Sequence, residues 1–457
     1  MAVSNPRSKP PQGDTGQAER YKRLPAGVHG LDPRMVKRDQ RERLQSALIE
    51  LIEEKGFQAV RIVDLARLAR VSQPTFYGLY RDKEELFLAV YDRVATRAAG
   101  AMLAAYEQPG AGEERLLAAV RAFTELAAAE PQALSLFLLG AFGAGPKVLE
   151  HRRRQLEALD ARIRASRDRT SEPARSDLTI EFVLGGIREV AAARLRNGHA
   201  ADLPELAEQL SRWAASYPGQ APAELVDGLG ERPRNVPRPP VSERARRAQG
   251  RLPRGRSDIP RPLIAKSQRE RIVDATAAIV AERGLAKLTI PEIARRANVS
   301  NQTFYEMYAS KHDAFLGAQK VGMHQALHVT IDAYSAHEDD WPAAVAAGLR
   351  GLIDYLSSEP AHAHLSVVDT FAATPEALDI REASLRAFAA RLRRGQELSD
   401  ETPSVAAEAV AGGVWQVLHR YIAEDRIAEL GDASSQIAYL ALTPFVGPEE
   451  AARAASA

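Results

Sequence analysis

The sequence predicts an all-α protein built from two tandem copies of one helical unit. Apolar residues recur at helical spacing, for example at Leu44, Leu48 and Leu51, and no segment keeps the period-two alternation of a half-exposed strand. The stretch from Gly56 to Leu88 recurs from Gly284 to Leu316 without a gap, and 14 of the 33 aligned positions are identical. Agreement of this extent indicates a duplicated protein and not one large domain.

The duplication continues far beyond these two stretches. Two further dipeptides recur at nearly the same separation, so the repeated unit is about 200 residues long. The recurring dipeptides are Glu130-Pro131 with Glu359-Pro360, and Gly185-Gly186 with Gly412-Gly413. We expect the glycine pairs to permit close packing of helices.

A proline- and arginine-rich segment separates the two copies. Between Glu231 and Pro262 there are seven prolines and ten arginines, so we expect an extended, solvated connector. The predicted segments are a disordered N-terminal arm (1–35), a first helix-turn-helix domain (36–82), a first effector and dimerisation domain (83–218), the linker (219–263), a second helix-turn-helix domain (264–310), a second effector and dimerisation domain (311–446) and a C-terminal tail (447–457).

Composition excludes several classes of protein. The chain has no cysteine, which excludes disulfides, thiolate zinc sites and cysteine nucleophiles. It has no apolar run long enough to span a membrane and no apolar N-terminal signal, so we expect a cytoplasmic protein. It also lacks the glycine-rich, metal-binding and nucleophile motifs of enzymes, so we predict neither catalysis nor a cofactor. The net charge is only +1, so any nucleic-acid surface has to come from local charge segregation.

Each copy contains the signals of a helix-turn-helix. Gly56 and Gly284 stand where a left-handed helix cap is expected. In the second copy the run from Thr289 to Glu292 fits a capping box with a proline in the first turn. In the first copy Arg61 takes the place of Thr289, and we expect Arg61 to contact a phosphate.

A short helix follows in each copy, after a serine. Ser72 and Ser300 are predicted to cap helices that begin at Gln73 and Asn301. Four aromatic residues of these helices are predicted to pack in the core and not to read DNA, namely Phe76, Tyr80, Phe304 and Tyr308.

The motif Val-Ser-x-x-Thr-Phe-Tyr-x-x-Tyr-x-x-Lys resembles that of the tetracycline-repressor (TetR/AcrR) family of bacterial regulators. It occurs in both copies, and the resemblance covers about 50 residues of each. The resemblance implies that the helices from Gln73 and Asn301 enter the major groove of double-stranded DNA. It also implies phosphate contacts by Tyr77 and Lys83 in the first copy and by Tyr305 and Lys311 in the second.

The chemistry of the same residues fits DNA. The amides of Gln73, Asn301 and Gln302 match adenine N6 and N7, and Thr75 and Thr303 can reach a thymine methyl group or a phosphate. The complete set of predicted DNA-binding residues is Arg61, Gln73, Pro74, Thr75, Tyr77, Gly78, Lys83, Thr289, Asn301, Gln302, Thr303, Tyr305, Glu306 and Lys311.

The two helices are not identical. Gln73-Pro74 becomes Asn301-Gln302, and Gly78 becomes Glu306. Two interpretations of Glu306 stay open: it accepts a hydrogen bond from cytosine N4, or it marks a copy that has lost DNA affinity.

The resemblance also predicts how the copies associate. Family members usually dimerise through their last two helices, which here correspond to Asp177–Trp213 and Pro403–Leu442. We predict that these segments pack on each other within one chain, giving a pseudo-dimer that suits half-sites roughly 34 Å apart. The alternative is a true homodimer of tandem chains with four DNA-binding heads.

The remaining helices are predicted to form effector domains, over Glu84–Arg175 and His312–Asp400. A small-molecule effector is expected, and Phe137, Phe142 and Phe371 are aromatic residues that could line its cavity. Such residues more often belong to the core, so we name no effector-binding residues. The histidines His324, His328, His362 and His364 suggest a metal site, but without cysteine ligands we predict none.

We therefore predict a DNA-binding transcriptional regulator, with repression as the usual role in the family, that reads an imperfect palindrome and is released by a small hydrophobic effector. The alternative is a ligand-sequestering or protein-interaction module on the same fold, with one or both heads unable to bind DNA.

Overall fold

The computed structural model describes residues 32–140, 176–218, 260–370 and 375–456, with scattered residues between 147 and 162. Every regular element in these residues is a helix, which confirms the predicted all-α class. Residues 1–31 of the predicted N-terminal arm and 219–259 of the predicted linker lie outside the described residues, as do Phe142 and Phe371.

The chain divides into two compact units, and the division does not follow the boundary between the two copies. The first unit comprises the residues up to Arg97 and Gln132–Gln155, and the second comprises Ala98–Pro131 and the residues from Leu156 onward. The C-terminal helices of the first copy therefore belong to the same compact unit as the whole second copy.

The helices of the first copy begin with the predicted helix-turn-helix domain, which we call the first head. Helix α4 runs from the first unit into the second. The helices are α1 (Pro33–Ala59), α2 (Ile62–Leu68), α3 (Gln73–Tyr77), α4 (Lys83–Tyr106), α5 (Gly112–Ala129), α6 (Pro131–Leu138), α7 (Asp177–Arg196) and α8 (Ala207–Ala215).

The second copy repeats this order, and its predicted helix-turn-helix domain is the second head. A π-helical turn at His364–Val368 follows α14. The helices are α9 (Arg261–Arg283), α10 (Ile290–Ala297), α11 (Asn301–Tyr305), α12 (Lys311–Ser335), α13 (Trp341–Ser358), α14 (Pro360–Ala363), α15 (Pro375–Gln396), α16 (Ala406–Ala423) and α17 (Leu430–Ser456).

Gly56 and Gly284 end the main run of α1 and α9, as their positions in the sequence predict. Their φ angles are 75° and 77°, but their ψ angles are 153° and 159°. The backbone is therefore extended with positive φ, and the predicted left-handed cap is wrong in detail. This region is open essentially to glycine alone, which explains why both copies carry glycine here.

The second unit is built around α7 of the first copy and α16 of the second, which pack against each other through the predicted glycine pairs. A Cβ on Gly186 would lie 2.5 Å from the carbonyl oxygen of Ala409, and one on Gly413 would lie 2.8 Å from that of Phe182. Only hydrogen atoms fit between the two backbones, so the predicted packing of one copy on the other is confirmed.

Two ion pairs join α7 and α16 in a reciprocal way. Arg194 of α7 donates to both carboxylate oxygens of Glu408, at 2.8 and 3.0 Å. Arg420 of α16 lies 2.6 Å from a carboxylate oxygen of Glu181. Each helix thus supplies one arginine and one glutamate, as in a two-fold symmetric dimer interface.

The last helix extends through the predicted C-terminal tail. After a break at Gly447, where φ is 77°, the chain continues as helix to Ser456. Ala451 and Ala452 are buried there, so this segment packs instead of extending into solvent. None of the helices in the described ranges is long and apolar enough to cross a membrane.

Candidate nucleic-acid interface and ligand cavity

The short helix α3 is positioned by a serine cap and an aromatic anchor. Ser72 Oγ accepts a hydrogen bond from the Thr75 backbone N–H at 3.1 Å, as predicted. Phe76 is fully buried beneath the helix and contacts Tyr80, which is also buried. A five-residue helix has little stability alone, so these contacts fix its position.

The second head builds α11 in the same way. Ser300 Oγ accepts from the Thr303 backbone N–H at 3.0 Å. Phe304 is fully buried and contacts the buried Tyr308. The prediction that these aromatic side chains pack in the core is confirmed in both heads.

The opposite face of each short helix is open to solvent. Tyr77 is 57% exposed and Tyr305 is 59% exposed, although both are large aromatic residues. Thr75 and Thr303 are half-buried, since their hydroxyl groups contact the capping serines. The exposed residues on this face are Gln73, Pro74, Tyr77 and Gly78 in the first head and Asn301, Gln302, Tyr305 and Glu306 in the second.

An arginine in each head closes the turn before the short helix, and the sequence analysis missed it. Arg43 Nη1 donates to the carbonyls of Ala69 and Arg70, at 2.6 and 3.3 Å. Arg70 has a φ of 53°, which a non-glycine residue rarely adopts. The arginine therefore stabilises a strained turn by pairing its carbonyls.

Arg271 does the same in the second head. Its Nη1 donates to the carbonyls of Ala297 and Asn298, at 2.9 and 3.1 Å, and Asn298 has a φ of 51°. A signal was present in the sequence, because Gln-Arg-Glu-Arg at 40–43 recurs at 268–271 with the same separation as the rest of the motif.

Lys83 does not point toward solvent as a phosphate ligand would. Its ammonium donates to the backbone carbonyls of Phe57, Gln58 and Val60 at 3.0 to 3.1 Å, and it lies 4.6 Å from the centre of the Phe57 ring. All three N–H donors are occupied, and burial lowers the pKa of Lys83. In this conformation Lys83 joins the end of α1 to α4.

Its counterpart Lys311 is engaged less completely. Its ammonium donates to the backbone carbonyl of Leu288 at 3.1 Å. Both lysine side chains are half-buried, but Lys311 makes one hydrogen bond where Lys83 makes three. Lys311 would therefore need less rearrangement than Lys83 to contact a phosphate.

Arg61 is likewise held within the first head. Its guanidinium donates to both carboxylate oxygens of Asp64, at 3.1 and 3.2 Å, and Lys55 Nζ contacts the same carboxylate at 2.9 Å. Hydrogen bonds from Arg61 and Lys55 hold the pKa of Asp64 far below its usual range. A phosphate would have to compete with Asp64 for Arg61.

The predicted capping box at Thr289 is not formed. Thr289 precedes α10 without a side-chain cap, and the Glu292 carboxylate instead pairs with Arg283 at 2.5 Å. This pair occupies the place of Lys55 and Asp64 in the first head. The exposed Thr289 hydroxyl is thereby left available to a ligand of the head.

On the exposed face of α11 in the second head, a carboxylate is hydrogen-bonded to a neighbouring side-chain amide. Gln302 Nε2 donates to Glu306 Oε1 at 3.3 Å. The amide that was predicted to read adenine is thus paired with the carboxylate, a contact that Gly78 cannot make in the first head.

The second unit contains a cavity within the second copy, of about 680 Å³ including its opening to solvent. Its wall is mostly apolar, and one end carries polar side chains. The residues around it are Gly322, Met323, Ala326, Leu327, Thr330, Leu352, Tyr355, Leu356, His362, Ser366, Val367, Ser384, Leu385, Phe388, Ala411, Val414, Trp415 and Leu418.

The polar end of this cavity centres on His362 and Ser366, both buried. His362 Nε2 lies 3.1 Å from a carboxylate oxygen of Asp274, on α9 of the second head. Within the described residues, neither His362 Nδ1 nor Ser366 Oγ has a hydrogen-bond partner. Buried polar atoms normally find a partner, so this end of the cavity suits a ligand with a polar group.

The four histidines considered as metal ligands contact carboxylates or lie apart. His328 pairs with Asp332, His362 with Asp274 and His364 with Asp369. Within the residues that the structure describes, no group of three side chains is placed to hold a metal ion.

Phe137, considered as a cavity residue, belongs to the core of the first unit. It is buried, and its ring centre lies 5.1 Å from that of the fully buried Tyr91. Core packing therefore explains Phe137.

Comparison with known proteins matches both heads. The family model described as bacterial regulatory proteins of the tetR family matches residues 44–90 and 272–317. The chain is also 28% identical over 129 residues to the HTH-type transcriptional activator FasR of Mycolicibacterium smegmatis. That alignment covers 28% of this chain and 59% of FasR, so the chain spans less than two thirds of its relative.

Solved structures align with part of the chain. The fatty acid degradation regulator FadR from Bacillus halodurans aligns with 38% of this chain and 94% of its own, at 17% identity and a TM-score of 0.36. FadR from Bacillus subtilis, solved in complex with stearoyl-CoA, aligns with 38% of this chain and 96% of its own, at 16% identity and a TM-score of 0.34.

Proposed function

Because this chain belongs to the TetR family of bacterial regulators and carries the family's N-terminal domain twice, we propose that it binds one asymmetric DNA site through two unlike heads. The observation that carries this proposal is the exposed polar and aromatic face of α3 and of α11. A buried phenylalanine fixes each helix from below, so the outer face is rigid before DNA arrives.

The residues of this face divide into readers and positioning residues. Gln73 and Asn301 present amides for base edges, and Thr75 and Thr303 can offer their methyl groups to a thymine methyl, because their hydroxyls contact the capping serines. Tyr77 and Tyr305 present hydroxyls for phosphates. Arg43 and Arg271 hold the turns and do not touch DNA in this proposal. Lys83 acts from inside the head, by fixing α4 to the end of α1.

The heads differ most at the end of the short helix. Gly78 has no side chain, so the first head carries no charge at this position, whereas Glu306 places a carboxylate beside Gln302 in the second head. Two chemically different surfaces select two different half-sites, so the operator is an imperfect palindrome.

The cavity of the second copy receives a small hydrophobic effector in this proposal. Its apolar wall and buried polar end match a molecule that is largely apolar and carries a polar group. The effector releases DNA by binding more tightly to a conformation in which the heads cannot both engage their half-sites.

Selection of bound sequences from random double-stranded DNA tests the proposal. We expect enrichment of a site with two unlike halves, bound with a steep dependence on salt. Tyr77→Ala is expected to lower affinity about tenfold by loss of one phosphate contact, with its effect confined to one half-site, and Tyr305→Ala to act on the other.

Leu398→Ala is the matched control, because Leu398 is 56% exposed but lies outside both heads. It is expected to leave binding unchanged. A perfectly symmetric operator, or no enrichment of any sequence, contradicts the proposal.

Glu306 supports a second candidate, in which the second head no longer binds DNA and the protein acts as a ligand-sequestering or interaction module. Glu306→Gln separates the two, because it removes the charge and keeps the shape. Higher affinity for all sequences after this substitution identifies charge repulsion. Loss of preference at one base pair identifies Glu306 as a reader of cytosine.

A further inference from the structure

The residues that form the polar end of the cavity in the second copy are replaced by different residues at the equivalent positions of the first copy. The helix from Pro360 corresponds to α6, which begins at Pro131, and the pattern of buried residues is the same along both. In this register Ala133 stands in place of His362 and Phe137 in place of Ser366. Val94 of α4 stands in place of Gly322 of α12.

Gly322 makes room for the polar end in the second copy. A Cβ at this position would lie 2.6 Å from Ser366 Oγ and 3.5 Å from His362 Nδ1, so any larger residue here would crowd the Ser366 hydroxyl. In the first copy the buried Val94 and Phe137 fill the equivalent places, and Phe137 packs on Tyr91.

The backbone differs at the same place. Residues 364–368 form a π-helical turn in the second copy, whereas the equivalent residues of α6 continue as α-helix to Leu138. Single π-helical turns are uncommon and occur often at functional sites. This turn carries Ser366 and Val367 into the cavity wall.

A direct contact leads from the cavity to the second head. His362 lies in the cavity wall, its Nδ1 has no hydrogen-bond partner among the described residues, and its Nε2 contacts Asp274. A ligand that reaches Nδ1 therefore acts through the same ring on Asp274. Asp274 lies on α9, the first helix of the second head. Its equivalent in the first copy is Ser46, and the equivalent of His362 is Ala133, so the first copy lacks both members of this contact.

The described residues of the first copy do not repeat the polar end of the cavity. We propose that the second copy senses the effector at this end, with one molecule bound there per chain, and passes its binding to the second head through His362 and Asp274, while the first head stays in its binding-competent form. This inference rests on the proposed function for its consequence on DNA, but the ligand site and its contact with α9 do not depend on DNA binding.

The polar end also indicates the class of ligand. In the tautomer that donates Nε2–H to the Asp274 carboxylate, Nδ1 of His362 is an acceptor, and the Ser366 hydroxyl offers a donor. A hydroxyl group satisfies both, since it donates to Nδ1 and accepts from Ser366. The expected ligand is an apolar chain or ring system that bears a hydroxyl group.

Titration calorimetry of the full chain with 1-decanol tests the site. We expect one molecule bound per chain. Ser366→Phe, which copies the first unit, is expected to abolish binding, and Ser366→Ala to weaken it roughly 3- to 10-fold by loss of one hydrogen bond. No binding up to the solubility of decanol, two sites per chain, or one site remaining in a folded Ser366→Phe variant overturns the proposal.

Hydrogen exchange tests the connection to the head without DNA. Decanol is expected to slow amide exchange in α9 and to leave α1 unchanged. Asp274→Asn, compared with the wild type at saturating decanol so that a difference in affinity does not enter, is expected to lose the change in α9. Equal changes in α1 and α9, or an unaltered response in Asp274→Asn, overturn the connection, whether or not the chain binds DNA.

If the chain binds an asymmetric operator, footprinting in the presence of decanol is expected to show release of one half-site only. Release of both half-sites together contradicts a one-sided sensor. Absence of DNA binding refutes the proposed function and leaves the calorimetry and exchange results to decide the inference.

Discussion

Arg43 shows how one side chain sets the shape of a whole head. It lies on α1 and pairs there with Asp39, yet its Nη1 donates to the turn that follows α2, 26 and 27 residues later. The turn contains a residue with positive φ, so without the arginine two carbonyls of a strained segment lose their partner.

We expect Arg43→Met to destabilise the first head by about 1–3 kcal/mol, because the aliphatic stem stays while the buried carbonyls lose a charged donor. Thermal unfolding followed by circular dichroism measures the change. The control is Arg38→Met on the same helix, whose exposed pair with Glu42 is expected to contribute less than about 1 kcal/mol. Equal effects of the two substitutions contradict this role of Arg43.

Asp64 makes the first head sensitive to acid. Hydrogen bonds from Arg61 and Lys55 lower its pKa in the folded state below the ordinary value of 3.8. A carboxyl group with a lowered folded-state pKa stabilises the fold above its unfolded pKa, and this stabilisation is lost as the pH falls toward the folded-state value.

The melting temperature of the first head is therefore expected to fall more steeply from about pH 5 to about pH 2 in the wild type than in Asp64→Asn. The asparagine variant is expected to melt lower at neutral pH, because it lacks the charge that Arg61 and Lys55 stabilise. Parallel pH profiles of the two proteins would show that Asp64 is not the titrating group.

At the scale of elements, the pairing of α7 with α16 depends on four glycines at the contact. Their positions allow backbone approach that any side chain would block, and the ion pairs Arg194–Glu408 and Arg420–Glu181 then fix the register of the two helices. The same helices carry apolar stripes, so burial supplies the attraction and the glycines determine the distance.

Gly186→Ala is expected to destabilise the second unit by roughly 1–3 kcal/mol, since its Cβ would overlap a ring carbon of Trp213 and lie 2.5 Å from the Ala409 carbonyl oxygen. Denaturant unfolding measures the loss. Gly100→Ala in α4 is the matched control, because nothing lies within 4 Å of its Cβ, and it is expected to stabilise its helix by about 0.5–1 kcal/mol. If both substitutions act alike, the close approach of α7 and α16 is not the reason for the glycine.

At the scale of the whole molecule, the duplication places inside one chain an interface that usually joins two subunits. The C-terminal helices of the first copy pack on those of the second, so the face that would otherwise bind another subunit is covered. The two heads of a single chain can therefore differ in sequence. A substitution in one head is not repeated in the other, as it would be in a homodimer.

We expect sedimentation to give the mass of one chain, 49.8 kDa, because α7 and α16 already bury each other's contact face. Glu408→Arg is expected to lower the stability of the second unit without producing a dimer, since it places like charges together at Arg194. A sedimentation mass near twice that of the chain would support the homodimer with four heads.

The sequence by itself determined the helical class, the duplication, the serine-capped short helices and the close packing of the glycine pairs. These features depend on local spacing, or on identities repeated at a fixed separation, and such signals do not require knowledge of distant contacts. The buried aromatic residues Phe76 and Phe304 were predictable for the same reason.

Only the tertiary structure decided where the long polar side chains point. Lys83 and Arg61 have the composition of phosphate ligands, but one is occupied by three carbonyls and the other by Asp64. The link between His362 and Asp274 joins residues 88 positions apart, and no local pattern indicates it. A charged or polar side chain binds the partner that the fold brings within about 3 Å, so its role depends on distant residues whose positions are fixed only after the helices have packed.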